Sequence, residues 1–355
     1  MPNPTEWRAS VDYADRAAGA GDSEKGAVPT MSATSAAWLP GADADRVVVS
    51  STARARRRGV VRLPDRRDAH GVLAAVLVET GAQARTVLTA LDRPGRVLAI
   101  DVERKQAVDL MAIAREVVRE ARIVPTKPND ATIRSLDVLL THVVGPDLTG
   151  VRACVLGTGN LGLKASLLLA ERGARLHVAG RDRAAVARTV GAVGAVLPRH
   201  SPFTPVALSD GDPVALLVTA VSASGVVGPE WLGRLTADAV VVDVGVDNVS
   251  ASFCEAALAA GVRVLRLDTR AAEAQVLWPA PGFFEGTFGD GEVDGIPVVA
   301  GGIVGRRGAV VVDDTARPTT VVGVASGSGG LVPEDELTDE QREGVLRVRS
   351  VLLGG

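Results

Sequence analysis

A glycine-rich turn between an apolar segment and a helix constrains this chain more than any other feature. The turn is Gly157-Thr158-Gly159-Asn160-Leu161-Gly162, after apolar residues 153–156 and before the largely apolar stretch 163–168, which has the character of a helix. In such a turn the first glycine permits a tight bend, the second lets a pyrophosphate approach the backbone, and the third lets the helix pack on the strand. The helix N-terminus also offers N–H groups and a partial positive charge to phosphate. The sequence therefore predicts a dinucleotide-binding turn.

Strands and helices are predicted to alternate around this turn. Apolar runs predict strands at 152–156, 175–179, 215–220, 239–244 and 262–267, and a helix over 161–172. That order predicts a parallel, doubly wound sheet, the Rossmann fold. Upstream, the pattern predicts helices over 68–91, 105–120 and 130–144 and strands at 97–100 and 123–124. Later strands are predicted at 296–300 and 309–312, followed by a helix that ends near residue 352.

The chain is long enough for two domains, with 355 residues of which 46% are hydrophobic. Because aromatic residues make up only 3%, the core must consist mainly of Val, Leu, Ala and Ile, which suits parallel strands covered by helices. We expect an α/β fold with a flexible tail over 1–45, an N-terminal α/β substrate domain over 46–145, and a C-terminal Rossmann domain over 146–314. The sequence leaves open whether residues 315–355 complete the N-terminal domain.

Charge and composition exclude several classes of partner. The net charge of −3 and a pI near 5.9 do not attract nucleic acid or an anionic membrane. No apolar run has the length of a membrane span, and the first thirty residues lack a signal-peptide core, which favours the cytoplasm. Cys154 and Cys254 lack metal-ligand spacing, so we expect buried thiols and no metal. We expect a small-molecule substrate and a homodimer.

The tip of the second predicted Rossmann strand bears on the choice of cofactor. An NAD site usually has an Asp or Glu there, whereas this chain has Gly180-Arg181-Asp182-Arg183. Arg181 and Arg183 offer forked, charge-assisted hydrogen bonds to a 2′-phosphate, so the sequence favours NADP. NAD stays open because a shift of one or two residues in the strand end would bring Asp182 to the ribose. Plain surface charge is the alternative for both arginines.

An arginine-rich segment, 52–67, precedes the first predicted helix. It contains seven arginines and a single acidic residue, Asp65. Such a segment is either a solvated loop or a collar for an anionic substrate.

Four stretches over residues 120–325 resemble the methylene-tetrahydrofolate dehydrogenase/cyclohydrolase family. They are Pro-Thr-Lys-Pro-Asn-Asp at 125–130, the glycine turn, Gly-Pro-Glu-Trp-Leu at 228–232 leading into 241–248, and Gly-Gly-Ile-Val-Gly at 301–305. The region is also similar to methylene-tetrahydromethanopterin dehydrogenases, shikimate dehydrogenase and the dehydrogenase that completes pyrrolysine. The folate family has a Tyr-x-x-x-Lys helix, but the one tyrosine here is Tyr13, so the resemblance does not extend to hydrolysis of the methenyl group.

The resemblance implies one cleft between the domains. The Pro-Thr turn would lie at that cleft, the Asp243-Val244-Gly245 strand end would border the nicotinamide, and the Gly-Gly loop would close over both ligands. The predicted cofactor-binding residues are Gly157, Thr158, Gly159, Asn160, Leu161, Gly162, Gly180, Arg181, Asp182, Arg183, Thr219, Ala220, Val221, Asp243 and Gly245.

Lysines are scarce in this chain, which narrows the candidates for acid or base catalysis. Lys105 follows the end of a predicted strand, where α/β proteins place ligands, although an exposed helix start is the alternative. Lys127 and Asp130 occupy the turn between the domains, where they would bind substrate or exchange a proton, although Asp130 would equally serve as a helix N-cap. Lys164, one turn into the cofactor helix, is expected to point away from the nucleotide.

The first functional hypothesis is an NADP-dependent oxidoreductase that transfers hydride to or from a carbon bonded to nitrogen. The substrate would be a methylene-tetrahydropterin or an amino-acid-derived amine or imine. The second is oxidation of a secondary alcohol, as in shikimate dehydrogenase, with Lys105 or Lys127 paired with Asp130. The third is an NADP-sensing regulatory protein without turnover, because fold does not determine function.

Overall fold

The computed structural model of the chain describes residues 44–51, 59–68, 71–103, 108–209, 211, 213–245, 247–272, 283–303 and 306–354. The chain divides into two compact units, residues 1–277 and 278–355. In the described part of the chain, no helix has the length and apolar character needed to cross a membrane.

The first unit begins with a five-stranded sheet. Its elements are β1 (Arg46–Ser51), β2 (Val61–Asp68), β3 (Gly71–Val78), α1 (Gly81–Leu91), β4 (Val97–Asp101), α2 (Leu110–Val117) and β5 (Arg122–Thr126). The strand order is β2-β3-β1-β4-β5, and the pairs are parallel except that β2 runs antiparallel to β3. The carboxyl ends of β1, β4 and β5 therefore lie at one edge of the sheet.

The predicted helix over 68–91 is wrong in its first half. Residues 71–78 form β3, and α1 begins only at Gly81. The run Val72–Val78 is apolar throughout, as in a strand buried on both faces, and periodicity does not separate such a strand from a buried helix. A capping box between Thr80 and Gln83 sets the true helix start.

Two further elements at the start of the chain were not predicted from the sequence. The buried strand β1 begins directly after the expected tail, and β2 takes up part of the arginine-rich segment. Residues 61–67 of that segment belong to an edge strand and not to a loop, whereas residues 52–58 lie outside the described residues. The helix predicted over 105–120 is shorter, because Asp109 caps α2 by accepting a hydrogen bond from the Ala112 N–H.

The long helix α3 (Pro128–Val143) leads into a six-stranded sheet in the same unit. The elements are β6 (Arg152–Leu156), α4 (Asn160–Glu171), β7 (Arg175–Ala179), α5 (Arg183–Val196), β8 (Val206–Ala207), β9 (Val214–Thr219), β10 (Leu235–Asp243), α6 (Ala251–Ala259) and β11 (Arg263–Arg266). Short 3-10 helices cover Pro229–Arg234 and Thr269–Ala271.

The order of this second sheet confirms the predicted doubly wound fold. The strands run β8-β7-β6-β9-β10-β11, and every pair is parallel. Numbered from β6, this is the Rossmann order 3-2-1-4-5-6, whose direction reverses between β6 and β9. Helices cover both faces, and the core consists mainly of Val, Leu and Ala, with Phe253 the one large aromatic side chain fully buried in the described core. Ligands of such sheets bind at the carboxyl ends beside the reversal.

The second unit is a four-stranded sheet with a C-terminal helix. Its elements are α7 (Phe283–Thr287), β12 (Asp290–Val293), β13 (Ile296–Ala300), β14 (Val310–Val312), β15 (Val321–Val324), a 3-10 helix Glu334–Glu336, and α8 (Asp339–Gly354), with strand order β12-β13-β14-β15. Val345 and Val348 of α8 pack in the core of this unit. The expected boundary between residues 314 and 315 falls between β14 and β15, inside this sheet. The expected boundary at 145–146 stays a prediction.

Candidate dinucleotide-binding site

The glycine turn lies between β6 and α4, and two of its glycines have no room for a side chain. Gly157 has a φ of 140°, and a Cβ there would lie 2.4 Å from the Ala220 carbonyl oxygen. A Cβ at Gly162 would lie 2.1 Å from the Gly157 carbonyl oxygen. By contrast, nothing in the described chain lies within 4 Å of a Cβ built at Gly159. The backbone is therefore tightly packed at Gly157 and Gly162, whereas the space beside Gly159 is open. A bound pyrophosphate requires this combination.

The N-terminus of α4 opens at the same place. Gly159 is the N-cap, and no side chain in the described chain caps this end of the helix. The first-turn N–H groups and the positive end of the helix dipole are thus available to an anion.

An open cleft of about 720 Å³ lies beside the turn. Its lining, grouped by position, is the turn itself (157–161), the ends of β7 and β9 (Gly180, Arg181, Asp182, Ala220, Val221, Ser222, Ala223), the segment around β10 (Val226, Trp231, Val244, Gly245), and Ser51, Asn129 and Leu156. The volume is within the range of small-molecule sites. The structure therefore brings most of the predicted cofactor residues to one cleft, and Ser51 and Asn129 extend it to the first sheet.

The three charged residues that follow β7, Arg181, Asp182 and Arg183, have different surroundings. Asp182 caps α5, and its Oδ1 accepts hydrogen bonds from the N–H groups of Ala184 at 2.8 Å and Ala185 at 3.2 Å. Arg181 lines the cleft, whereas Arg183 is the first residue of α5 and does not belong to the described lining. One carboxylate oxygen of Asp182 thus caps its own helix, and both Asp182 and Arg181 belong to the described lining of the cleft.

Thr219 and Asp243 are buried below the cleft and do not line it. The Thr219 hydroxyl donates to Asp243 Oδ1 at 3.0 Å, and Asp243 Oδ2 accepts from the Asn248 N–H at 3.0 Å. Their exposed fractions are 0% and 4%. Both were predicted to bind cofactor, but the structure places them where they tie the ends of β9 and β10 together.

Asn248 holds the two loops that border the cleft, and sequence reasoning did not single it out. Its Oδ1 accepts from the Val221 N–H at 3.1 Å, and its Nδ2 donates to the carbonyl oxygens of Val221 at 2.9 Å and Ala223 at 2.8 Å. A Cβ at Gly245 would lie 2.0 Å from Asn248 Oδ1. An amide suits this position because it both donates and accepts. In the sequence, the one indication of its importance is that Asn248 follows shortly after the Asp243-Val244-Gly245 strand end.

The start of α3 forms an ion cluster with the cofactor helix. Asp130 Oδ1 lies 2.5 Å from Lys164 Nζ, and Asp130 Oδ2 lies 3.2 Å from Lys127 Nζ. Lys164 Nζ also lies 3.6 Å from Oε1 of Glu103, whose side chain is 5% exposed. That Lys164 points away from the nucleotide stays a prediction, and its partners Asp130 and Glu103 were not predicted from the sequence. Lys127 is the N-cap of α3, so Asp130 is not the cap.

The charge state of Asp130 follows from these contacts. Partial burial by itself would raise the pKa of Asp130, but the hydrogen bonds and charges of Lys164 and Lys127 outweigh it, so the pKa lies below its ordinary value. Asp130 is therefore a carboxylate at neutral pH and acts as an acceptor. The structure brings Lys127 and Asp130 together, although neither belongs to the described lining of the cleft, and Lys105 lies outside the described residues.

Asn129 links the two sheets of the first unit. Its backbone N–H donates to Glu103 Oε1 at 3.1 Å, and its Nδ2 donates to Asn160 Oδ1 in the glycine turn at 2.9 Å. The Ser50 hydroxyl, at the end of β1, donates to Asp101 Oδ2, and Asp101 Oδ1 accepts from the Glu103 N–H at 2.9 Å. The polar groups at the carboxyl ends of β1 and β4 are thus connected to the cofactor turn.

Several solved structures are distantly similar to this chain. The A chain of dipicolinate synthase from Bacillus subtilis is 15% identical, over 65% of this chain and 72% of that chain, with a TM-score of 0.34. A shikimate dehydrogenase solved with NADP+ is 13% identical over 63% and 84%, with a TM-score of 0.40. L-tryptophan dehydrogenase from Nostoc punctiforme is 12% identical over 65% and 72%, with a TM-score of 0.39.

No known protein family and no curated protein matches the sequence. At these identities and TM-scores the solved structures add no argument about function. The strand order and the glycine turn carry the fold assignment by themselves.

Proposed function

We propose that this protein is an NADP-dependent oxidoreductase that transfers hydride to or from a carbon bonded to nitrogen in a small molecule. One observation carries the proposal: the glycine turn lies at the reversal point of a 3-2-1-4-5-6 sheet and opens on a cleft that Arg181 also lines. Rossmann sheets bind dinucleotides at this position.

The residues of the turn fit the dinucleotide. The cradle at Gly157 and Gly162 would be filled by any side chain, and the space over Gly159 is open. The N-terminus of α4 would hold the pyrophosphate, and Arg181 would hold a 2′-phosphate through its forked N–H groups. When bound, the cofactor supplies or accepts the hydride, and the protein supplies binding and alignment.

The residues of the chain itself contribute by holding the parts of the cleft in place. Asn129 and Asn160 join the substrate side of the cleft to the cofactor turn, and Asn248 fixes the loops on its far side. Asp130, as a carboxylate, holds two ammonium groups beside this junction. A proton lost by substrate nitrogen would pass to solvent, and a proton gained by it would come from solvent or from the ammonium of Lys127, whose side chain is 61% exposed.

One observation favours a second candidate, the oxidation of a secondary alcohol. That reaction requires a lysine and an aspartate side by side, and Asp130 pairs with both Lys127 and Lys164. The two candidates differ in substrate and share the cofactor site.

Fluorescence titration with NADPH and NADH tests the cofactor assignment. We expect Arg181→Gln to raise the Kd for NADPH at least tenfold and to leave the Kd for NADH unchanged, because one charged hydrogen-bonding partner of phosphate contributes about 1.5–3 kcal/mol. Arg183→Gln is the matched control and should change neither Kd. Equal affinity of the unmodified protein for both cofactors would refute the NADP assignment.

Turnover assays test the reaction class. The absorbance of reduced nicotinamide would be followed as NADPH is consumed with cyclic imines, and as NADPH forms from NADP+ with reduced folates, amino acids and hydroxy acids. Turnover with imines or amino acids supports the proposal, and turnover with hydroxy acids supports the second candidate. Binding of NADPH without turnover on any of them would favour a sensor. The proposal also includes a homodimer, which sedimentation equilibrium would test.

A further inference from the structure

Lys164 lies where the cofactor helix meets the first sheet. It is one turn into α4, four residues after Asn160, so these two side chains lie on one face of the helix. Its ammonium nitrogen lies 2.5 Å from Asp130 Oδ1 and 3.6 Å from Glu103 Oε1. Asp130 belongs to the start of α3, and Glu103 follows the end of β4. One lysine of α4 therefore contacts both other elements, and we call Glu103, Asp130 and Lys164 the ion brace.

The burial of Glu103 gives the ion brace its weight. The side chain of Glu103 is 5% exposed, whereas that of Lys164 is 30% exposed. A buried carboxylate has lost much of its hydration, so removing a cation beside it costs more than at the surface. The ammonium group of Lys164 brings such a cation from the cofactor helix. Loss of that charge should therefore loosen the end of β4 relative to α4.

Hydrogen bonds close the ion brace into a ring. Glu103 Oε1 also accepts the Asn129 N–H at 3.1 Å, and Asn129 Nδ2 donates to Asn160 Oδ1 at 2.9 Å. Because Asn160 and Lys164 belong to one helix, Asn129 is tied to α4 twice, once directly and once through Glu103. Asn129 and Asn160 both line the cleft. The ring thus fixes a residue on the substrate side of the cleft relative to the glycine turn.

The ring continues into the first sheet. The Glu103 N–H donates to Asp101 Oδ1 at 2.9 Å, and the Ser50 hydroxyl donates to Asp101 Oδ2. Ser50 immediately precedes Ser51, which lines the cleft. The carboxyl ends of β1 and β4 therefore depend on where the ion brace holds Glu103.

We propose that Lys164 is a positioning residue that transmits occupation of the cofactor site to the substrate side of the cleft. A phosphate held at the N-terminus of α4 would order the start of this helix, and Asn160 and Lys164 would pass that order to Asn129 and Glu103. The inference rests on the proposed function for the identity of the cofactor. It also gives an order of binding, because the cofactor prepares the substrate side, and by linkage each ligand then raises the affinity for the other.

Hydrogen exchange of the full chain, followed by mass spectrometry with and without saturating NADPH, tests the transmission. The glycine turn reports on binding itself, whereas residues 98–103 and the Asn129 amide report on the substrate side. We expect NADPH to slow exchange at all three places by a factor of about three or more. In Lys164→Met the slowing should persist at the glycine turn and be lost at the other two places, and Lys164→Arg should retain it there because it keeps the charge.

Arg172→Gln is the matched control. Arg172 ends α4, pairs with Asp137 of α3 at 3.1 Å, and donates to two carbonyl oxygens in the loop after α3. It joins the same two helices about 12 Å further along α4. Its loss should weaken their packing and leave the NADPH-dependent slowing at Asn129 intact. Loss of the slowing in Arg172→Gln as well, or its persistence in a folded Lys164→Met, would overturn the role of Lys164.

Glu103→Gln is a second variant that decides if Lys164→Met does not fold. Glutamine keeps an oxygen for the Asn129 N–H and removes the charge that faces Lys164. It should therefore also abolish the NADPH-dependent slowing at residues 98–103 and at Asn129. Unchanged slowing in Glu103→Gln would contradict the proposal.

The two proposals fail separately. If NADPH slows exchange at the glycine turn of the unmodified protein but not on the substrate side, the transmission is refuted and the cofactor site stands. If NADPH slows exchange nowhere, the cofactor proposal is refuted, and the ion brace is decided without cofactor. Exchange of the Asn129 amide should then be about fivefold or more faster in Lys164→Met than in Arg172→Gln, and equal rates would refute the ion brace.

Discussion

Replacing Gly162 by alanine should disrupt the junction of β6 and α4. The new Cβ would lie 2.1 Å from the Gly157 carbonyl oxygen, whereas real Cβ contacts are essentially never closer than 3.0 Å. Because the obstacle is backbone and not a mobile side chain, α4 must move by about 1 Å. Overpacking of this kind costs about 1–3 kcal/mol of unfolding free energy. We also expect at least a tenfold rise in the Kd for NADPH, because the helix N-terminus moves with α4.

Gly191→Ala is the matched control. Gly191 lies inside the helix α5, and no atom of the described chain lies within 4 Å of a Cβ built there. Alanine should therefore stabilise the protein by about 0.5–1 kcal/mol, since glycine loses more backbone entropy in a helix. Urea unfolding followed by circular dichroism and an NADPH titration would be compared for both variants. A Gly162→Ala protein with the stability and affinity of the unmodified chain would refute the reasoning.

Three further predictions concern other parts of the molecule. Asn248→Ala removes the side-chain partner of three part-buried hydrogen bonds to the backbone of Val221 and Ala223, so it should cost about 2–4 kcal/mol and weaken NADPH binding; no change in either measurement would contradict the role of Asn248. Burial opposes ionisation of Asp313, but the Thr319 hydroxyl and the N–H groups of Thr319 and Thr320 outweigh it and hold its pKa at about 2. Its stabilisation, on the order of 1 kcal/mol at this exposed position, should be complete above the ordinary pKa near 4 and lost as the pH falls through about 2, so the urea midpoints of the unmodified protein and Asp313→Asn should converge there. Burial raises the pKa of Cys154 to about 12, and a thiol reagent should therefore label the half-buried Cys254 first, which peptide mass spectrometry would show; earlier labelling of Cys154 would contradict its burial.

The local features of the cofactor turn follow from contiguous residues. The strand β6, the turn, the helix α4 and the strand β7 were all predicted, with bounds within one residue of those found. Each depends on a short apolar run beside glycines, so neighbouring residues contain the necessary information. The alternation of these runs also indicated the doubly wound sheet that the strand order confirms.

The first sheet shows where such information ends. Residues 72–78 are apolar without a period, and only pairing with β1 and β2 makes them a strand. Asp182 is a similar case. The sequence does not show which groups its carboxylate contacts, whereas in the structure its Oδ1 accepts hydrogen bonds from two N–H groups of α5.

By itself, the sequence determined the glycine turn, the class of fold and the scarcity of candidate acid and base groups. The tertiary structure decided which of those groups meet. Lys164 joins Asp130 across 34 positions of sequence, and Asn129 joins Asn160 across 31. Such contacts depend on how α3 packs against α4, and packing is a property of whole surfaces that no short run of residues encodes.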